Sequence, residues 1–226
     1  MPHLLLFGKL PRLGRVKTRL VPPLSPEQSL RLYRAFLDDQ LAFVRGFTDR
    51  AHVGWWTDEQ LQPAERAALS IGGIDLHLQG PGDLGTRMSR AFEQTCGGDS
   101  GAAVIVGADS PTLPSTHVGE AFAVLQRGAP AVIAPADDGG YVLVGLNEPR
   151  PELFENVPWG EADVAAATRR RAAAIGIELV EISPWYDVDE MTSLRRLQDD
   201  LATPAGARRA PATARCLLDL GLPGVL

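Results

Sequence analysis

Short apolar runs alternate along the chain with longer stretches of helical periodicity. The first run, 4–7, is continuously apolar and stops at Gly8, which suits a strand buried on both faces. After a polar loop, Ser25, Pro26 and Glu27 form a helix start, with Ser25 as N-cap and Pro26 at the first helical position. Leu30, Tyr33, Phe36, Leu37, Leu41 and Val44 then recur at helical spacing, predicting a long amphipathic helix. The same reading predicts strands at 51–56, 74–78, 103–106, 131–134, 141–146 and 177–182. It predicts helices over 63–69, 85–95, 115–126, 161–174 and 191–201, with one docked helix in 202–226. A tight polar turn separates 131–134 from 141–146. Strands alternating with helices imply a largely parallel sheet covered on both faces.

Length allows one well-buried core, so a single domain over 1–226 is expected. The net charge of −6 shows no basic surplus, which argues against nucleic acid as the main partner. The charge is nevertheless uneven. No Asp or Glu precedes Glu27, whereas Lys9, Arg12, Arg15, Lys17 and Arg19 all fall in that stretch. A cationic loop in an acidic chain points to a small anionic ligand. The apolar start is too short for a signal peptide, and no later run is long enough for a membrane span. Cys96 and Cys216 are far apart and read as incidental thiols in a reducing compartment. A cytoplasmic location is the expectation.

Carboxylates collect where strands end. Asp109 follows the run at 103–106, Asp137 and Asp138 follow 131–134, and Asp187 and Asp189 follow 177–182. In a parallel sheet these ends share one edge, where open α/β folds bind ligands. The carboxylates and the cationic loop should therefore converge. Two unit charges about 4 Å apart repel by roughly 4 kcal/mol at an effective dielectric near 20. A hard cation such as Mg²⁺ or Mn²⁺, held by one or two carboxylates and substrate phosphates, would relieve that repulsion. The alternative is that each Asp caps a helix or shapes a turn. Lys17-Thr18 is not a P-loop, because Arg15 and Val16 separate Gly14 from Lys17.

Five stretches carry a resemblance: 9–20 (KLPRLGRVKTRL), 82–88 (GDLGTRM), 107–111 (GADSP), 135–141 (PADDGGY) and 187–189 (DVD). In this order they resemble a family of bacterial GT-A-like nucleotide-diphospho-sugar transferases, also labelled arsenosugar-biosynthesis-type glycosyltransferases. The resemblance implies a GT-A fold, a Rossmann-like three-layer α/β sandwich with a mostly parallel sheet. Its nucleotide half would cover about 1–110, its acceptor half 111–201 and a helical segment 202–226. By resemblance, Lys9, Gly14, Arg15, Lys17 and Arg19 would hold the nucleotide phosphates. Gln79, Gly80, Asp83 and Arg87 would line the nucleotide pocket. Asp109 and Asp189 would bind the metal, with Asp187 in support, and Asp138, Gly139, Gly140, Tyr141 and Trp159 would face the acceptor. Two departures stand out. Ser110 and Pro111 follow Asp109 where an Asp-x-Asp is common, and Glu190-Met191-Thr192-Ser193-Leu194 replaces the usual Thr-Pro-Glu-Asp-Leu.

Two chemistries remain open at this point. In glycosyl transfer, an acceptor hydroxyl displaces the diphosphate of a nucleotide sugar, with Lys17 and Arg19 stabilising the leaving group and Asp138 as candidate base. In nucleotidyl transfer, an anionic acceptor attacks a nucleoside triphosphate, and the first loop is also similar to 2-phospholactate guanylyltransferases. The acids and aromatic at 137–141 suit a neutral or cationic small-molecule acceptor, which favours the first. A non-catalytic nucleotide sensor is the third class, and the joint presence of Lys17, Arg19, Asp109 and Asp189 argues against it.

Overall fold

A computed structural model describes residues 1–68, 72–97 and 101–222. Among the described residues, seven strands form one sheet in the order β3-β2-β1-β4-β6-β5-β7. In chain order these are β1 (His3–Gly8), β2 (His52–Thr57), β3 (Asp75–Leu78), β4 (Ala103–Gly107), β5 (Ala131–Pro135), β6 (Tyr141–Leu146) and β7 (Leu179–Glu181). All pairings are parallel except those of β6, which runs antiparallel between β4 and β5. The chain is thus a mostly parallel α/β sandwich of Rossmann-like form, as the sequence predicts.

The continuous apolar run at 4–7 has its reason in the two-sided cover. Leu4 and Leu6 join a core on one face with Leu32 and Phe36 of α1 (Pro26–Arg45), Val118 of α4 (Ser115–Gln126), Leu194 and Leu197 of α6 (Met191–Leu201) and Leu217 of α8 (Pro211–Asp219). Leu5 and Phe7 join the opposite core with Met88 and Phe92 of α3 (Leu84–Thr95) and Ala165 and Ala172 of α5 (Val164–Ala174). Alternate residues of one strand therefore serve two layers.

Local signals set the helix starts. Ser25 Oγ accepts from Gln28 N at 3.2 Å, and Gln28 Oε1 accepts from Ser25 N at 2.8 Å, a reciprocal capping box ahead of Pro26. The remaining helices are α2 (Pro63–Ala68) and α7 (Pro204–Arg209). Leu69, the expected end of α2, lies outside the described residues, as do 223–226.

Three expectations need correction. The expected helix over 161–174 begins only at Val164, because the preceding segment turns through Gly160 at φ 88° and is not helical. Strand β7 is shorter than expected, with three residues. The C-terminal segment holds two helices instead of one, since Pro211 starts a new helix after α7. Asp39 of α1 docks the second of them, accepting from Ala212 N at 2.9 Å and Thr213 N at 2.8 Å. Among the described residues, no helix is long and apolar enough to cross a membrane.

Candidate active site

The carboxyl ends of β1, β4, β5 and the segment after β7 meet at one edge of the sheet. The chain pins this convergence through its backbone. Ala108 N donates to Phe7 O and Val188 N donates to Asp109 O, each at 2.9 Å, so the late 187–189 segment is laid against the turn after β4. Gln40 of α1, fully buried, donates to Ser110 O and fixes the same turn from below. Ser193 Oγ accepts from Asp189 N at 3.1 Å and Glu190 N at 3.2 Å. The departure from the usual late motif therefore still yields an ordered helix start behind Asp189.

At the floor of the site lies Lys17. Its ammonium is paired with Asp109 and sits 2.8 Å from Asp189 Oδ1, with 2% of its side chain exposed. The two carboxylates are 44% and 43% exposed, so each still presents surface to the open side. Burial would lower the lysine pKa, but Asp109 and Asp189 outweigh it and hold the ammonium above its ordinary value. Burial likewise opposes ionisation of Asp189, yet Lys17, Arg19 and Lys9 keep its pKa below the usual aspartate value. Asp187 shows the opposite balance. Burial, reinforced by Asp138 and Asp189, pushes its pKa up to about 7.

Above this floor opens a cleft of about 1050 Å³. Arg19, Asp109, Asp138, Gly140, Tyr141, Trp159, Asp187 and Asp189, all expected from the sequence, line it. Tyr141 and Trp159 meet with perpendicular rings at a centroid distance of 6.4 Å, forming an aromatic corner. Gly139 does not line the cleft but makes its wall possible. It has φ 89°, and a Cβ there would come within 1.7 Å of Ala162 O, so the turn after β5 and the segment before α5 fit together only through glycine. Asp138 Oδ1 accepts from Gly140 N at 2.8 Å, which orients the carboxylate within that turn.

Other expected residues lie elsewhere. Arg15 pairs with Glu59, as does Arg12, which also reaches Glu65, so the outer part of the cationic loop is held by the segment after β2. Gly14 turns that loop at φ 70°. Lys9 is exposed, with its backbone carbonyl accepting from Tyr33 Oη at 2.9 Å. Gln79 is buried and both ends of its amide are engaged, Nε2 donating to Trp56 O at 2.8 Å and Oε1 accepting from Arg87 at 3.3 Å. Asp83 caps α3 by accepting from Thr86 N at 2.8 Å, and Gly80 at φ 78° packs under Arg90. These four stand beside the cleft and not in its lining.

Sequence reasoning missed Arg196. It reaches the cleft from α6, pairs with Asp137 and lies over the Tyr186 ring at 4.2 Å. Nothing in the sequence marks it, because Thr192, one helical turn earlier, reaches the cleft only through the docking of the same helix. Phe7, Leu84 and Met88 add an apolar wall that the sequence shows only as strand and helix positions.

Comparison with known proteins agrees with this architecture. The chain is similar to a candidate nucleotide-diphospho-sugar transferase from Desulfovibrio desulfuricans G20, at 29% identity over 97% of this chain and 95% of that one, with a TM-score of 0.87. It shares its fold with a cytidylyltransferase from Leptospira borgpetersenii serovar Hardjo-bovis, at 10% identity, 100% and 97% coverage and a TM-score of 0.55. A 4-diphosphocytidyl-2C-methyl-D-erythritol synthase from Anaerococcus prevotii aligns at 8% identity over 84% and 92%, with a TM-score of 0.51. No curated protein matches the chain. One family model matches residues 46–161, from the end of α1 through β6 to the cleft residue Trp159, and by that match the chain belongs to the family described as an uncharacterized protein conserved in bacteria, DUF2064.

Proposed function

We propose that this protein is a metal-dependent transferase that takes a group from a nucleotide-activated donor, and that the group is a sugar. The observation that carries this reading is the floor of the cleft. Asp109 and Asp189, partly exposed and joined by a buried ammonium, stand where a divalent cation and the donor's diphosphate would meet. The full-length likeness to the candidate nucleotide-diphospho-sugar transferase supports it.

The residues fit a hard cation of the Mg²⁺ or Mn²⁺ type. Among the described residues no group of three or more His, Cys, Asp or Glu side chains is arranged to hold a metal ion, so the protein would supply no more than two such ligands. Such cations are commonly held by one or two carboxylates, with substrate phosphates completing the sphere. Asp109 and Asp189 are the two carboxylates, and Asp187, whose pKa burial and then its acidic neighbours raise to about 7, supports them. When bound, the cation supplies charge to stabilise a departing diphosphate. Arg19 lines the same cleft, and its guanidinium would bind phosphate oxygens.

The remaining residues favour glycosyl over nucleotidyl transfer. The acceptor side presents Asp138, Glu161 and the Tyr141–Trp159 corner, and its guanidinium, Arg196, is already paired with Asp137. That wall suits a neutral or cationic acceptor better than a phosphorylated one. In the proposed reaction the acceptor hydroxyl forms a bond to the anomeric carbon and the carbon–oxygen bond to the diphosphate breaks. The electron pair leaves with the diphosphate, and the hydroxyl proton passes to the Asp138 carboxylate. The deciding experiment incubates the protein with Mg²⁺ and a panel of nucleotide sugars or nucleoside triphosphates. Release of nucleoside diphosphate from a nucleotide sugar supports the proposal. Release of pyrophosphate from a triphosphate, with every nucleotide sugar left intact, would replace it with nucleotidyl transfer.

A further inference from the structure

The two carboxylates assigned to the cation are already occupied. Lys17 places a unit positive charge against Asp109 and 2.8 Å from Asp189 Oδ1, almost completely enclosed by protein. This charge is built in by the backbone. Lys17 has φ 49° and ψ 39°, a left-handed conformation uncommon for any residue with a side chain. Its carbonyl accepts from Leu20 N at 3.1 Å, which anchors the turn that follows, and its ammonium lies 5.7 Å from the centre of the Phe36 ring. The ammonium is thus aimed at the carboxylates by a fixed turn on one side and a buried aromatic ring on the other.

A divalent cation entering alone would meet a fixed charge of its own sign. Asp109 and Asp189 together carry two negative charges, of which Lys17 already neutralises one. A diphosphate adds the negative charge that both cations need. We infer that Lys17 is a positioning residue that couples metal binding to donor binding, so that the protein holds the metal poorly by itself and well with the donor's phosphates. This inference rests on the nucleotide-donor reading above. Because coupling between two ligands is reciprocal, the metal must strengthen donor binding by the same factor.

The test uses the metal alone. Mn²⁺ is titrated calorimetrically into the native protein, Lys17→Met and Lys17→Arg, without nucleotide. Removal of the charge in Lys17→Met is expected to tighten Mn²⁺ binding at least fivefold, whereas Lys17→Arg, which keeps the charge, binds like the native protein. A smaller gain in Lys17→Met, or a loss of Mn²⁺ binding, overturns the inference. If Lys17→Met does not fold, Lys17→Gln keeps a hydrogen-bond donor for the carboxylates and is held to the same fivefold threshold. Because no nucleotide is present, this outcome is independent of the donor reading, which fails separately if native protein with Mn²⁺ binds neither nucleotide sugars nor nucleoside triphosphates.

Discussion

The cationic loop after β1 splits into two regions that look alike in sequence and differ in space. Lys17 turns inward, has 2% of its side chain exposed and bridges two carboxylates from distant parts of the chain. Arg12 and Arg15 turn outward, with side chains 34% and 63% exposed, and pair with Glu59 and Glu65 at the surface. Exposed pairs are screened by water and salt and contribute little. An enclosed charge flanked by two carboxylates acts at short range in a medium that screens weakly. Charge sign therefore marks the loop, but burial decides which of its charges can serve chemistry.

That contrast can be broken or sharpened by substitution. The largest effect should come from Asp109→Ala, which strips a carboxylate from the floor and leaves Lys17 with one partner. Turnover is expected to fall by about 100-fold or more, the scale seen when one preorganised electrostatic group is lost. A steady-state assay that finds less than a tenfold loss would place the chemistry elsewhere.

Next in size is Lys17→Met. Breaking a buried ion pair costs several kcal/mol, but the partner carboxylates here are nearly half exposed, so about 2 kcal/mol of stability should be lost in denaturant unfolding at pH 7. An unchanged midpoint would show that the enclosed ammonium contributes nothing to the resting protein.

A pH effect of similar size tests the other side of the charge balance. Asp187 has its pKa raised to about 7, so the folded protein binds more protons than the unfolded chain between roughly pH 4 and pH 7. Stability contributed by its neutral form is present at the acid end and declines as pH rises through that window. Asp187→Asn should remove this decline and gain about 2 kcal/mol at pH 8 relative to pH 4, allowing for partial exposure of the carboxyl. Parallel unfolding curves for both proteins across the window would contradict the assignment.

The smallest effect is expected at Arg15. Its partner is Glu59, and Arg15→Ala should leave donor binding within about twofold of native, because a screened surface pair carries little energy. A tenfold loss would show that Arg15 leaves Glu59 for the phosphates when the donor binds.

The sheet edge was readable because strand ends announce themselves. Apolar runs ending at Gly8, Gly107 and Pro135 marked β1, β4 and β5, and Arg19 of the loop after the first converges with Asp109, Asp137 and Asp138 after the other two. The strand order was not readable. Placement of β6 antiparallel between β4 and β5 depends on pairings over long sequence separation, such as Ala103 with Leu146, that leave no local trace. Within the site, Asp109 and Asp189 could be paired from their positions after strands, whereas Arg196 could not. Its value lies in a contact with Asp137 and the Tyr186 ring, and an exposed arginine on a helix looks the same wherever that helix docks. The same holds for Glu59 and Glu65, which take Arg12 and Arg15 away from the cleft through a fold-dependent encounter.

The central claim is that the Lys17–Asp109–Asp189 floor binds a nucleotide-activated donor together with a divalent cation. Thermal unfolding of the native protein and of Asp109→Ala, each with a panel of nucleotide sugars in the presence and absence of Mg²⁺, tests it most directly. A ligand that binds only the folded state must raise the melting temperature. The account predicts that a nucleotide sugar stabilises the native protein only when Mg²⁺ is present and that Asp109→Ala loses this response. Equal stabilisation with and without Mg²⁺, or an undiminished response in Asp109→Ala, would contradict it.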